Sequence, residues 1–251
     1  MPPKKLLILG GTGEAAELAR KIPEKISSDI EVVISYSGIT GHQPDLPGTI
    51  RVGGFGGAEG LVRYIEEEQF NWIIDATHPF AEKISQSCYV SALATQTQCL
   101  SLIRPEWRPF PNDRWLEVST MSEAVKVVEN LGGKTFLTIG TKQLSLFENI
   151  ENVDFVVRMV KEPEGDLPLK NYEVVVGHPP FSLEDEAQLL KDKKIRLLVT
   201  KNSGGLKTKE KIDAARQEKL PVLMIQRPMP EPGDHVSTVE EALGWLLSHG
   251  A

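Results

Sequence analysis

Leu6-Leu7-Ile8-Leu9-Gly10-Gly11-Thr12-Gly13-Glu14-Ala15-Ala16 is the stretch whose reading decides the fold. Four consecutive apolar residues predict a strand covered on both faces, which is the habit of parallel sheets rather than of half-exposed antiparallel ones. The glycines then predict a tight turn, and residues 14–21 a helix. Gly11-x-Gly13-x-x-Ala16 fits the dinucleotide fingerprint, in which the first glycine makes the turn, the second admits a pyrophosphate and the third small residue lets helix and strand approach. A helix N-terminus so placed offers its unpaired amides to an anion. No Gly-Lys-Ser/Thr follows, so this is not a Walker phosphate loop. The same loop also serves S-adenosylmethionine enzymes and plain strand-to-helix turns.

Working outward, short β-rich runs alternate with helical stretches, the grammar of crossover α/β folds. Strands are predicted over 6–9, 31–36, 49–52, 72–76 and 98–103, and a second set over 135–139, 154–160, 172–176, 196–200 and 222–225. Helices are expected at 183–190, 207–218 and 239–247. The second strand ends in Ser35-Tyr36-Ser37-Gly38, where a NAD-preferring site usually carries an acidic residue for the ribose 2′-hydroxyl. Small hydroxyl residues leave room for a 2′-phosphate, so the turn favours NADPH over NADH, although no arginine adjoins it nearer than Arg51 and it reads equally as an ordinary strand-ending turn. Gly53-Gly54-Phe55-Gly56 follows the third strand as a place for close backbone approach or a simple flexible turn. Asp75-Ala76-Thr77-His78 ends the fourth, at the carboxyl edge where ligands of doubly wound sheets collect.

An internal echo divides the chain. Glu117-Val118-Ser119-Thr120 with Glu123-Ala124 resembles His235-Val236-Ser237-Thr238 with Glu241-Ala242, and each follows an Arg-Pro pair, Arg104-Pro105 or Arg227-Pro228. Each Ser-Thr sits where an N-cap belongs, with an acidic residue in the first turn. Two lobes follow, 1–132 for the dinucleotide and 133–251 for substrate, with Gly132-Gly133 as the boundary. The net charge of −7 excludes a general nucleic-acid or anionic-membrane surface. Cys88 and Cys99 have no metal-binding spacing and, without a recognisable secretory signal, fit a reducing cytoplasm in which a disulfide is not expected. No apolar run approaches the ~18 residues of a membrane span. Five histidines without close spacing give no metal site.

Together, Gly10-Gly11-Thr12-Gly13-Glu14, Asp75-Ala76-Thr77-His78-Pro79-Phe80-Ala81, Ile103-Arg104-Pro105-x-Trp107, Thr200-Lys201-Asn202-Ser203-Gly204-Gly205 and Ile225-x-Arg227-Pro228 resemble the precorrin-6A reductase family over nearly the whole chain. The resemblance implies two Rossmann-like lobes with parallel sheets and an active-site cleft between them. It implies nicotinamide-dependent reduction of one macrocycle double bond in cobalamin biosynthesis, on metal-free precorrin-6A with NADPH in one branch and on cobalt-precorrin-6A with NADH in the other. Gly10, Gly11, Thr12, Gly13, Glu14, Ser35, Ser37, Gly38, Gly53, Gly54, Phe55, Gly56, Asp75, Ala76, Thr77 and His78 then fall on the cofactor side. The implied partner is a tetrapyrrole polycarboxylate, with transient contact to neighbouring pathway enzymes left open.

Hydride transfer needs positioning and a proton rather than a nucleophile. His78, whose side chain ordinarily titrates near ~6.5, and Lys201 are the candidate acids beside water. His78 reads equally as a turn residue capping the next helix, and Lys201 more readily as a carboxylate ligand. Arg104, Lys142, Arg158, Lys201 and Arg227 lie near predicted strand ends and join His178 as candidate ligands for substrate carboxylates, each alternatively a solvated charge. Asn202, Ser203 and Gly204 complete the substrate side, the loop opening a helix near Lys207 whose amides suit a carboxylate. Trp107 and Phe80 either stack on a flat macrocycle or cover a core edge. A short-chain reductase is excluded, since no tyrosine is followed four positions on by lysine. A methyltransferase using the same glycine loop and a non-catalytic dinucleotide sensor are the competing readings.

Overall fold

The computed structural model describes residues 3–27, 29–38, 45–206 and 208–251, and these form two compact units. Unit 1 comprises Met1–Pro105 with Pro228–Ala251, and unit 2 comprises Glu106–Arg227.

In unit 1, β1 (Lys5–Leu9), β2 (Glu31–Tyr36), β3 (Thr49–Val52), β4 (Trp72–Asp75), β5 (Gln98–Leu102) and β12 (Asp234–Val236) form one sheet in the order β12-β5-β4-β1-β2-β3. Every neighbouring pair is parallel. This is the doubly wound dinucleotide-fold order. Helices α1 (Gly13–Lys25) and α7 (Val239–Ser248) cover one face, and α2 (Ala58–Glu68) and α3 (Glu82–Thr95) the other. The apolar spacing of α1 places Ala15, Leu18, Ala19 and Ile22 on one stripe, all buried, as a 3.6-residue period requires. Leu6 and Ile8 point into the α1/α7 layer and Leu7 and Leu9 into the α2/α3 layer, which explains the unbroken apolar run.

Unit 2 repeats the order. Strands β6 (Trp115–Val118), β7 (Gly133–Thr138), β8 (Val153–Met159), β9 (Tyr172–Val176), β10 (Leu197–Lys201) and β11 (Val222–Ile225) run β6-β11-β10-β7-β8-β9, again all parallel. Its helices are α4 (Met121–Leu131), α5 (Leu183–Asp192) and α6 (Glu210–Gln217). The first crossover differs from that of unit 1. After β7 comes a short 3-10 helix, Thr141–Phe147, in place of a glycine-rich loop and long helix.

The expected boundary at Gly132-Gly133 falls inside unit 2. Gly132, with φ 60°, ends α4, its N–H bonding the carbonyl of Val128, so the glycine pair is a helix cap and not a linker. The chain instead leaves unit 1 after Arg104-Pro105 and returns after Arg227-Pro228. The echo lies where it crosses: β6 and α4 complete the second sheet, and β12 and α7 the first. Neither edge strand is legible from apolar runs, because both are short and mostly uncovered. The helix expected from 207 begins at Glu210, since Gly204 and Gly205 hold the preceding chain at φ 64° and 81°; Lys207 lies outside the described residues. No helix among the described residues is long and apolar enough to cross a membrane.

Candidate active site

The ends of β1 to β4 bring the expected cofactor residues to one edge of the first sheet. Gly10 donates its N–H to the carbonyl of Ser35 at 2.9 Å, and a Cβ there would meet the Ile34 side chain at 3.2 Å, so a larger residue would press on β2. Gly11 turns the chain at φ 115° with open space on its Cβ side. Thr12 caps α1 by accepting the Ala15 N–H at 3.1 Å, and its hydroxyl donates to the Ala76 carbonyl at 2.6 Å. The loop is thereby tied to the end of β4. Glu14, in the first turn of α1, pairs with Arg104 at 3.0 Å. That arginine offsets a carboxylate which would otherwise repel an anion at the helix terminus. Arg104, expected as a substrate ligand, thus belongs to the glycine-loop unit.

At the next strand ends, Ser35 is buried, Ser37 and Gly38 are exposed, and Ser35 registers with Arg51 across β2 and β3. The Arg51 guanidinium reaches the Ser35 hydroxyl at 3.4 Å and the carbonyls of Gly53 and Gly54 at 2.7 and 3.0 Å, and lies 3.8 Å from the Phe55 ring centroid. Phe55 therefore carries Arg51 rather than facing a ligand alone. Gly53 and Gly56 have φ 124° and 79°, and neither a Cβ there nor one at Gly54 would meet protein. Open glycine backbone at both loops is the cradle a dinucleotide phosphate chain needs. Arg51 was missing from the expected set; its signal was register, one strand over from Ser35, and not sequence proximity.

Asp75 is buried at the end of β4 and accepts two bonds from Thr77, from its N–H at 3.0 Å and its hydroxyl at 2.7 Å. The His78 Nδ1 accepts the Phe80 N–H at 3.2 Å and the His78 carbonyl accepts that of Ala81 at 2.7 Å. The histidine therefore shapes the turn into α3, and its neutral ring carries the proton on Nε2. Phe80 packs against that imidazole, with ring centroids 5.9 Å apart.

The substrate candidates of unit 2 separate into two groups. Lys142 and His178 are exposed beyond the ends of β7 and β9, and Lys201 is half-buried at the end of β10. The others serve the fold. Arg158, 12% exposed, pairs at 2.7 Å with Glu186, 3% exposed, and sits 4.2 Å from the Phe181 ring, an internal ion pair. Asn202 is buried, its amide oxygen accepting the Trp107 N–H at 2.9 Å and its amide nitrogen donating to the Trp107 carbonyl at 3.1 Å. The carbonyl of Asn202 accepts Arg227 Nε at 2.6 Å. Trp107 lies in the core, so it covers a core edge and is no stacking platform. Ser203 and Gly204 are buried in a turn that stops short of α6, so the expected helix-terminal amides do not form there.

A family model described as precorrin-6x reductase CbiJ/CobK matches residues 5–247. The chain is 39% identical over 250 residues to a precorrin-6A reductase of Sinorhizobium sp, covering 98% of this chain and 95% of that one. It is 29% identical over 255 residues to a cobalt-precorrin-6A reductase of Priestia megaterium, covering 97% and 98%. A solved structure of CobK precorrin-6A reductase superposes with a TM-score of 0.92 at 36% identity, over 99% of this chain and 98% of that one. With the same fold over its full span, the chain belongs to the precorrin-6A reductase family, oxidoreductases of cobalamin biosynthesis that act on a CH–CH bond.

Proposed function

We propose that unit 1 binds NADPH and that the chain reduces metal-free precorrin-6A, the carrying observation being Arg51 beside Ser35 at the ends of β2 and β3. An arginine beside a small hydroxyl supports a 2′-phosphate, whereas an acidic residue there would support NADH. Gly10, Gly11, Thr12 and Gly13 hold the pyrophosphate on the α1 terminus, with Arg104 offsetting Glu14. Gly53, Gly54 and Gly56 leave room along the neighbouring edge, and Asp75, Ala76, Thr77 and His78 adjoin the nicotinamide. Bound NADPH supplies the hydride. Lys142, Lys201 and His178 hold substrate carboxylates at the edge of the second sheet, Lys201 as a ligand rather than an acid. Water supplies the proton, and the neutral His78, whose Nδ1 accepts the Phe80 N–H, positions that water through its Nε2–H. Higher identity to the relative named for precorrin-6A than to the one named for its cobalt form favours the metal-free substrate.

Anaerobic turnover of precorrin-6A and its cobalt form with NADPH and with NADH tests this, read as nicotinamide absorbance and product mass. Arg51→Leu is expected to lower kcat/KM for NADPH about ten- to hundredfold, the size of a lost charge-assisted contact. NADH turnover, sharing the loop but not the 2′-phosphate, changes far less. An unchanged ratio between the cofactors refutes the assignment of Arg51.

A further inference from the structure

The two cysteines, 11 positions apart in sequence, meet in the fold: their sulfurs lie 3.6 Å apart. Cys88 sits on the buried face of α3, and Cys99 is the half-buried second residue of β5. Their meeting follows from topology. Along β5, Leu100 and Leu102 alternate into the α1/α7 layer, leaving Cys99 and Ser101 on the face toward α3. In an ordinary doubly wound sheet the next crossover helix would cover that face. Here the chain leaves unit 1 after Pro105 and comes back only as β12, so β5 and β12 are joined by no helix of their own unit. A cavity of about 450 Å³ remains there, lined by both cysteines together with Asp75, Tyr89, Ser101 and Gly233.

We propose that Cys88 and Cys99 form a modification site, a dithiol that a small hydroperoxide converts into an intramolecular disulfide. Cys99, the more exposed sulfur, attacks one peroxide oxygen; the O–O bond breaks, the departing hydroxide takes the Cys99 thiol proton and leaves as water, and Cys99 becomes a sulfenic acid. The sulfur of Cys88 then attacks the Cys99 sulfur, the S–S bond forms, the S–O bond breaks, and the departing hydroxide takes up the Cys88 proton. Two thiols and one hydrogen peroxide thus give one disulfide and two waters. Contact with Cys99, and then burial, hold the Cys88 thiol above its ordinary range, so Cys88 remains protonated and inert toward oxidant in bulk solvent. Its reaction depends on a partner already at contact distance, where the second step is effectively intramolecular. Closing from 3.6 Å to a bond length of about 2.05 Å asks for rotation of the two cysteine side chains. The inference is independent of which dinucleotide the enzyme uses.

The reduced full-length protein is treated with equimolar hydrogen peroxide, alkylated with N-ethylmaleimide, and analysed by intact mass and non-reducing peptide mapping. Expected is joint loss of both thiols, a mass lower by two hydrogens, a Cys88–Cys99 linked peptide, and full reversal by dithiothreitol. Cys88→Ala is expected to stop at a Cys99 sulfenic acid that dimedone traps, and Cys99→Ala to slow oxidation of Cys88 at least about tenfold. Circular dichroism verifies that both variants are folded, and the wild-type mass stands without them. Oxygen addition without hydrogen loss in the wild type, a disulfide between copies, or two thiols that both remain alkylable would each overturn the proposal.

Discussion

Gly11 turns the backbone at φ 115°, a conformation L side chains rarely adopt, and no protein atom stands where its Cβ would be. Gly11→Ala is therefore expected to act through backbone strain of about 1–3 kcal/mol and through crowding of the pyrophosphate approach. NADPH fluorescence titration should show Kd rising about tenfold or more, and a thermal melt a modest fall in Tm. Asn202 shows the opposite kind of residue. A conspicuous Lys-Asn-Ser-Gly-Gly run suggests a ligand loop, yet both ends of the Asn202 amide bond the backbone of Trp107. Asn202→Ala leaves a buried N–H and a buried carbonyl without their partner, at a cost of about 2–3 kcal/mol. Urea unfolding should record that loss while substrate KM for the folded fraction stays unchanged; a raised KM would return Asn202 to the substrate site. Arg158 makes the same point, since its charge is neutralised inside unit 2 by Glu186.

The two halves of the echo close their helices alike. Thr120 accepts the Glu123 N–H at 3.1 Å before α4, and Thr238 accepts the Glu241 N–H at 3.2 Å before α7, with the Glu241 carboxylate reaching back to the N–H groups of Ser237 and Thr238. Thr238→Ala is expected to cost about 1 kcal/mol, seen as a lower urea midpoint. The N–H of Ser237, and then that of Thr238, hold the Glu241 carboxyl below the usual carboxylate range. A carboxyl lowered in the folded state stabilises above its unfolded titration range and ceases to do so as pH falls through its folded value. The midpoint difference between wild type and Glu241→Gln should therefore be full at neutral pH and vanish below the carboxylate range, and a pH-independent difference would contradict the capping role. That the same cap precedes the sixth strand's helix in both sheets is how four-residue echoes came to mark equivalent elements.

Across the whole molecule, unit 1 owes one strand and one helix, β12 and α7, to the far side of a chain crossing, whereas unit 2 is one continuous segment. Residues 106–227 are contiguous and contain all six strands of the second sheet, so this fragment is expected to fold alone. Residues 133–251 lack β6 and α4 and carry β12 and α7 without their sheet, so that fragment should aggregate or remain molten. A chain ending at Arg227 lacks Val239, Ala242, Leu243 and Leu246 of the unit 1 core and is expected to lose the proposed dinucleotide binding with them. Circular dichroism, two-dimensional NMR and NADPH titration of the three pieces distinguish these outcomes; a well-folded 133–251 fragment would contradict the crossing.

By itself the sequence determined the parallel α/β class, ten of the strands, the glycine loop with its capped helix, and the family, because long apolar runs, helical periodicity and glycine turns are local physics. It also located the edge turns at Ser35 and Asp75, since strand ends face ligands in any sheet wound this way. Only the tertiary structure decided where the chain crosses, that Arg51 stands beside Ser35, that Arg158 and Asn202 face inward, and that Cys88 meets Cys99. Strand order and the choice of sheet for a short edge strand are settled by which surface remains uncovered once the other strands have paired, and no local spacing encodes that.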